Sequence, residues 1–156
     1  MAREHHYAVT VRWTGNSGTG TSGYRNYERA HEIAVEGKAT IAASSDPAFR
    51  GDPARWNPEE LLLAALSSCH QLAYLHLCAV AGVVVADYTD RAEGTMAETP
   101  DGAGQFTHVL LRPRVTIAAG SDAAKALALH HEAHEKCFIA RSVNFSVEHE
   151  AEIVSR

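Results

Sequence analysis

The sequence predicts a single α+β domain. Three observations predict it: the candidate elements run strands, helix, two strands, helix, strand; no segment repeats; and 156 residues, 46% hydrophobic and 21% charged, suffice for one core. An alternation of strand and helix, as in a doubly wound parallel sheet, is absent from that order.

The first element is YAVTVRW, residues 7 to 13, which alternates as a half-buried strand does. RAHEIAV and KATIAA, near 29 to 35 and 38 to 43, are its expected neighbours in a small antiparallel sheet covering about 5 to 45. Between the first two strands lies GNSGTGTSG, residues 15 to 23, suited to a flexible hairpin loop. Gly15 and Gly20 have the separation of a phosphate-binding loop, but Thr21 stands where that loop needs lysine and no helix is expected next. Nucleotide binding is therefore not expected. SSDPAFRGDPARW, residues 44 to 56, has two prolines and a glycine and reads as a connector.

A helix is expected over 57 to 81. Asn57 can cap it, Pro58 suits the first helical position, and Glu60 can complete a capping box while both acids favour the positive end of the dipole. Leu61 to Ala81 are apolar nearly all round, the pattern of a helix buried mid-protein, and Gly82 ends it. Two long strands are expected within 83 to 118, at 83 to 98 and 105 to 118, joined by the turn-rich ETPDGAG. Asp122 can cap a second helix over 122 to 140, DAAKALALHHEAHEKCFIA, and NFSVEHEAEIV, residues 144 to 154, alternates as a last strand.

Composition narrows the function. A net charge of -5 with scattered Lys and Arg speaks against nucleic acid, which demands clustered cations. The opening MAREHHYAV has no secretory apolar stretch, and no run is expected to span a membrane. Three cysteines without such a signal point to a reducing compartment, with the cytoplasm as the expected location.

Chemistry concentrates in two segments. In NPEELLLAALSSCHQLAYLHLC, residues 57 to 78, Cys69 and His76 share a helix face, while Cys78 faces the opposite way and reads as inert core. His130, His134 and Cys137 follow spacings of four and three, so they also share a face. If the helices pack, one Cys and His surface meets another. Three readings stay open from spacing alone: buried small thiols with polar histidines at the surface, a tetrahedral zinc site of two thiolates and two imidazoles, or a redox pair. The short CxxC and HExxH pairings of common zinc sites are absent.

NPEELLLAALSSCH resembles the signature of the OsmC/Ohr family, the osmotically induced and organic-hydroperoxide-resistance proteins, with Glu59 ten positions before Cys69. HEKCFIARSVNFSV, residues 134 to 147, is similar to the family segment that carries a second cysteine ahead of the last strand. The resemblance covers nearly the whole chain. It implies antiparallel sheets around two central helices in an intertwined homodimer, and a thiol-dependent peroxidase that needs no cofactor and no metal. It further implies Cys69 as the peroxidatic cysteine, Cys137 as the resolving one and Glu59 as the site carboxylate. The family's arginine is matched by Arg50, which is preferred, or by Arg25 after the glycine-rich loop. The implied substrate is an organic hydroperoxide, and the implied reductant a dithiol such as a lipoyl-bearing protein. Phe138 stands where the family commonly has proline, and His70 where it has an aromatic residue. These departures leave a second reading, a non-catalytic small-molecule or metal-binding member that uses Cys69, Cys137 and the histidines.

The physical chemistry fits those roles. A thiol of ordinary pKa, about 8.5, is mostly protonated at neutral pH, so a guanidinium that stabilises the thiolate raises the reactive fraction. Arginine keeps its charge, and a carboxylate can orient it by a bidentate pair. Along a straight helix Glu59 and Cys69 are about 80° apart in projection, so the arginine must bridge them or come from a partner chain.

Overall fold

A computed structural model describes residues 2 to 156, which fall into an N-terminal unit, Met1–Leu61, and a C-terminal unit, Leu62–Arg156. The fold is α+β, with two α-helices and nine short strands among the described residues.

In the N-terminal unit, β1 (Thr10–Trp13), β2 (His31–Ala34) and β3 (Ile41–Ala43) form an antiparallel sheet in that order. The first strand is shorter than the alternating stretch that suggests it: Tyr7 and Val9 continue the alternation without pairing, and they are exposed together with Val11 and Trp13. The loop after β1 is organised by its own polar groups. The Asn16 side-chain oxygen accepts from the backbone of Gly18 and Gly20, both at 2.9 Å, and the Arg29 guanidinium lies over the Tyr24 and Tyr27 rings. No helix follows its glycines, so the geometry of a phosphate loop is not formed.

Helix α1 (Pro58–Ala81) starts on a capping box: the Asn57 side-chain oxygen accepts from the Glu60 backbone at 2.9 Å, and the Asn57 amide donates to the Glu60 carboxylate at 2.5 Å. It ends at Gly82, whose φ of 77° is a left-handed conformation that side chains disfavour. By length and composition alone α1 would pass as a membrane span, a test that the core helix of a soluble protein also passes, so it does not overturn the sequence expectation of none.

The C-terminal unit corrects the strand expectations. Residues 83 to 98 form two strands, β4 (Val85–Asp90) and β5 (Glu93–Glu98). Residues 105 to 118 likewise become β6 (Gly104–Leu111) and β7 (Pro113–Ile117). The final stretch divides into β8 (Ser146–His149) and β9 (Glu152–Ser155). Each former strand supplies two sheets, β4-β7-β9 and β5-β6-β8, in which β7–β9 and β6–β8 pair in parallel. One polar knot holds the three crossing points. The Asp90 carboxylate accepts from the Arg112 backbone at 2.7 Å and from the Ser67 hydroxyl of α1 at 2.5 Å, while the Arg112 guanidinium meets Glu93 at 2.6 Å and Glu150 at 3.8 Å. Alternation alone cannot mark these breaks, because it carries no signal for which sheet a strand joins.

Helix α2 (Ala123–Lys136) is capped by Asp122, which accepts from the Lys125 backbone at 3.0 Å. It stops at Lys136, four residues before the expected end, with Cys137 as its C-cap, and a 3₁₀ turn, Ala140–Ser142, follows. The apolar core of this unit has two parts. Tyr74 and Leu77 of α1 pack with Val115, Ile117, Ala126, Leu129 and Ala133, and Leu66 packs with Phe106, Val109 and Leu111. Burial on α1 is one-sided, since Leu72 and Val80 are exposed within the single chain.

Removing the α1 cap tests the local account: Asn57→Ala is expected to lower stability by about 1 kcal/mol, read from the urea midpoint with an unchanged slope.

Candidate active site

The two helices bring Cys69 and Cys137 together. Cys69 is half-buried in the fourth turn of α1, whereas Cys137 is buried at the end of α2. Burial and then a hydrogen bond with the Cys69 thiol push the Cys137 thiol up to about 11, so it is held protonated at neutral pH. The Cys137 sulfur also accepts from the Ala140 backbone at 3.4 Å, which fixes its position over the 3₁₀ turn. The third thiol, Cys78, is buried in the apolar core, and burial raises it further from reactivity.

A cavity of about 690 Å³ opens beside Cys69. Leu72, Ala73 and Leu77 of α1 line it, with Phe138 and Arg141 beyond α2, and His76, Glu135 and Lys136 complete the wall. Phe138 is 74% exposed although it borders this apolar space. The lining is mostly hydrocarbon, which favours an alkyl or aryl ligand over a small hydrated one.

Behind the thiols lies a cluster of aromatic polar groups. His70 is 1% exposed and His130 is fully buried, so of the three readings left open by spacing, the one with the histidines at the surface does not describe these two. Their ring nitrogens Nε2 and Nδ1 share a proton at 3.0 Å, and His130 stacks on Tyr74 with centroids 3.8 Å apart. The Tyr74 hydroxyl donates to the Ala126 carbonyl of α2 at 2.9 Å. His149 of β8 closes the group, its ring 5.7 Å from His70 and 6.0 Å from His130, and His134 lies 6.1 Å from His149. Burial first, then the neighbouring imidazoles, lowers His70 to about 4 and His130 to about 3. His149 is lowered for the same reasons.

Among the described residues no group of three or more His, Cys, Asp or Glu is arranged to hold a metal ion, so the zinc reading of the sequence finds no ligand set. Glu59 occupies the first turn of α1, and its Oε2 is buried without a hydrogen-bond partner among the described residues. Arg25 and Arg50 belong to the N-terminal unit, where Arg50 has a φ of 66° and lies 6.0 Å from the Tyr24 ring centroid. None of these three residues lines the cavity. His149 and Tyr74 are the residues that sequence reasoning left aside. His149 follows the alternation of its strand, and Tyr74 stands five residues after Cys69, but only the packing gives them partners.

A model of OsmC-like proteins matches residues 51–152. The chain belongs to the OsmC-like family. An OsmC-like protein of unknown function from Vibrio cholerae is 35% identical and superimposes with a TM-score of 0.84 over 95% of this chain and 99% of its own. The uncharacterized protein YmaD of Bacillus subtilis (strain 168) is 26% identical over 150 residues, 93% of this chain and 91% of the relative. The organic hydroperoxide resistance protein OhrB of Bacillus subtilis shares the fold, with a TM-score of 0.61 and 21% identity over 94% of this chain and 98% of that one. Within the OsmC-like fold, the two thiols of this chain differ sharply in access. Brief alkylation of the reduced protein is expected to label Cys69 first, with Cys78 and Cys137 labelled only after denaturation, as read by peptide mass.

Proposed function

We propose that this OsmC-like protein is a thiol-dependent peroxidase that reduces organic hydroperoxides to alcohols. The observation that carries the reading is the half-buried Cys69 thiol, facing an apolar cavity and hydrogen-bonded to a buried, protonated Cys137. The hydroperoxide resistance named for the fold relative OhrB agrees with it.

The Cys69 thiolate attacks the distal oxygen of the hydroperoxide. The O–O bond breaks, the alkoxide takes a proton and leaves as the alcohol, and the sulfur, oxidised by two electrons, becomes sulfenic acid. Cys137, deprotonated as it reacts, then attacks that sulfur; the S–S bond forms and hydroxide leaves, protonated to water. An external dithiol, for which a lipoyl-bearing protein is the proposed source, reduces the disulfide by exchange. In this scheme Cys69 is the attacking thiol because Cys137 stays protonated until the sulfenic acid has formed.

Glu59 is the proposed orienting carboxylate, and the unpaired Oε2 of its side chain supports that role. Arg50 is the preferred thiolate-stabilising cation, with Arg25 the other candidate. The proposed working form is a cytoplasmic homodimer in which each chain acts as one OsmC-like domain. Supporting this are the exposed apolar row of Tyr7, Val9, Val11 and Trp13 and the open face of α1 at Leu72 and Val80.

Single-turnover oxidation separates the roles. With cumene hydroperoxide the wild type is expected to lose two thiols per chain. Cys69→Ser is expected to react at least about a hundredfold more slowly, and Cys137→Ser to accumulate a sulfenic acid that dimedone traps. Turnover of hydrogen peroxide as fast as that of cumene hydroperoxide would refute the organic preference, and unreacted thiols would refute the enzyme.

A further inference from the structure

The peroxidase reading makes no use of the four-histidine cluster. We infer that the buried pair His70 and His130, with His149 beside it, forms an acid-sensitive latch, whose protonation loosens the packing of α1 on α2 and β8 and frees Cys137 at the end of α2. The inference is independent of the peroxidase reading, because its readout is exposure of a thiol and not turnover.

The geometry of the buried pair disfavours a charge on either ring. His130 is fully buried, its Nδ1 is committed to His70, and its Nε2 has no partner among the described residues. In either tautomer of the pair, one polar atom of His130 stays unmet, and adding a proton would give that buried ring a charge with no acceptor to receive it. Each element around the cluster offers groups of the wrong kind. α1 presents His70 and Tyr74; α2 presents His130, His131 and His134; β8 presents His149; and β4 presents Tyr88, whose buried hydroxyl is also unpartnered. The nearby carboxylates are already engaged. Asp90 holds Ser67 and Arg112, Glu135 pairs with the exposed His131 at 3.4 Å, and Glu152 of β9, the strand packed on α2, pairs with Arg114 at 3.2 Å. A proton arriving here meets other imidazoles and phenols, not a counter-ion.

The sign follows from proton uptake. An unfolded or opened joint binds protons at the ordinary imidazole value of 6.5, whereas the closed joint refuses them until about 4 at His70 and about 3 at His130. Between those limits the open form holds more protons, so stability is full above about pH 6.5 and is lost as pH falls. Each histidine shifts the opening equilibrium by up to about tenfold per pH unit, and the pair by up to about a hundredfold. The joint bears directly on the thiol: the Cys137 backbone N–H donates to the His134 carbonyl, and His134 is a member of the cluster.

In a Cys69→Ser background, which keeps a Cys69 mixed disulfide from passing to Cys137 and in which wild type denotes the native histidines, the test follows Cys137 modification by 4,4′-dithiodipyridine in the reduced protein from about pH 7.5 to about pH 5, corrected against the denatured chain, beside amide exchange mapped along the sequence. The wild type is expected to show at least a tenfold rise in corrected Cys137 reactivity, with exchange rising in α1, α2 and β8 and not in β1 to β3. His130→Phe, which keeps the aromatic stack and cannot titrate, is expected to flatten that response. An equal response in a folded His130→Phe, an even rise in exchange along the chain, or no acid response in the wild type would overturn the inference. Imidazole NMR of the wild type decides without any variant. Titration of His70 and His130 near pH 6.5 with α2 still protected overturns the latch, and the absence of titration until α2 opens upholds it.

Discussion

Tyr74 stacks on His130 and donates its hydroxyl to the Ala126 carbonyl, and this joint fixes the distance and rotation of α1 against α2. An aromatic stack adds about 0.5–1.5 kcal/mol to burial, and the hydroxyl gives the contact a direction that apolar packing lacks. Ala126 and Ala133 are small enough for α2 to approach, with Leu77 and Leu129 filling the rest. Since Cys69 lies five residues before Tyr74 and Cys137 seven after His130, setting the helices at this joint also sets the two thiols side by side. The two thiols are thus positioned by a polar contact between the helices.

The sheets support the joint from behind. Asp90 and Arg112 gather the crossings of three chain segments at one level, and Ser67 ties α1 to the same knot. The resulting unit is open at its cavity, where Phe138 stays exposed beside the apolar wall. An aperture lined with hydrocarbon next to a thiol suits a substrate that brings its own apolar tail, because burying that tail supplies binding energy without polar recognition.

Much of this was legible in the residues. The Asn57, Glu60 and Asp122 caps act locally, so their signals translate directly into helix starts. Face spacing on two helices grouped Cys69 with His76 against His130, His134 and Cys137; the two thiols do meet, but the histidine that meets His130 is His70, while His76 lines the cavity. The sheets were less legible. Strands 83 to 98, 105 to 118 and 144 to 154 each divide between two sheets, and the device that divides them, the Asp90 carboxylate on the Arg112 backbone, joins residues far apart in sequence. The burial of His70 was hidden for a similar reason. Its identity suggests solvent, and only the arrival of His130 and His149 from other elements makes a dry site for it. The end of α2 at Cys137 was likewise overrun, because FIA continues an apolar helical pattern while the chain in fact turns into the 3₁₀ segment that seats the sulfur.

The central claim is that these two thiols act as one redox pair. The measurement that tests it most directly is disulfide mapping, by peptide mass, of protein treated with one equivalent of an organic hydroperoxide. The account requires the Cys69 peptide to be joined to the Cys137 peptide within one chain, with Cys78 still a free thiol. A link through Cys78, or a bond only between chains, would contradict it.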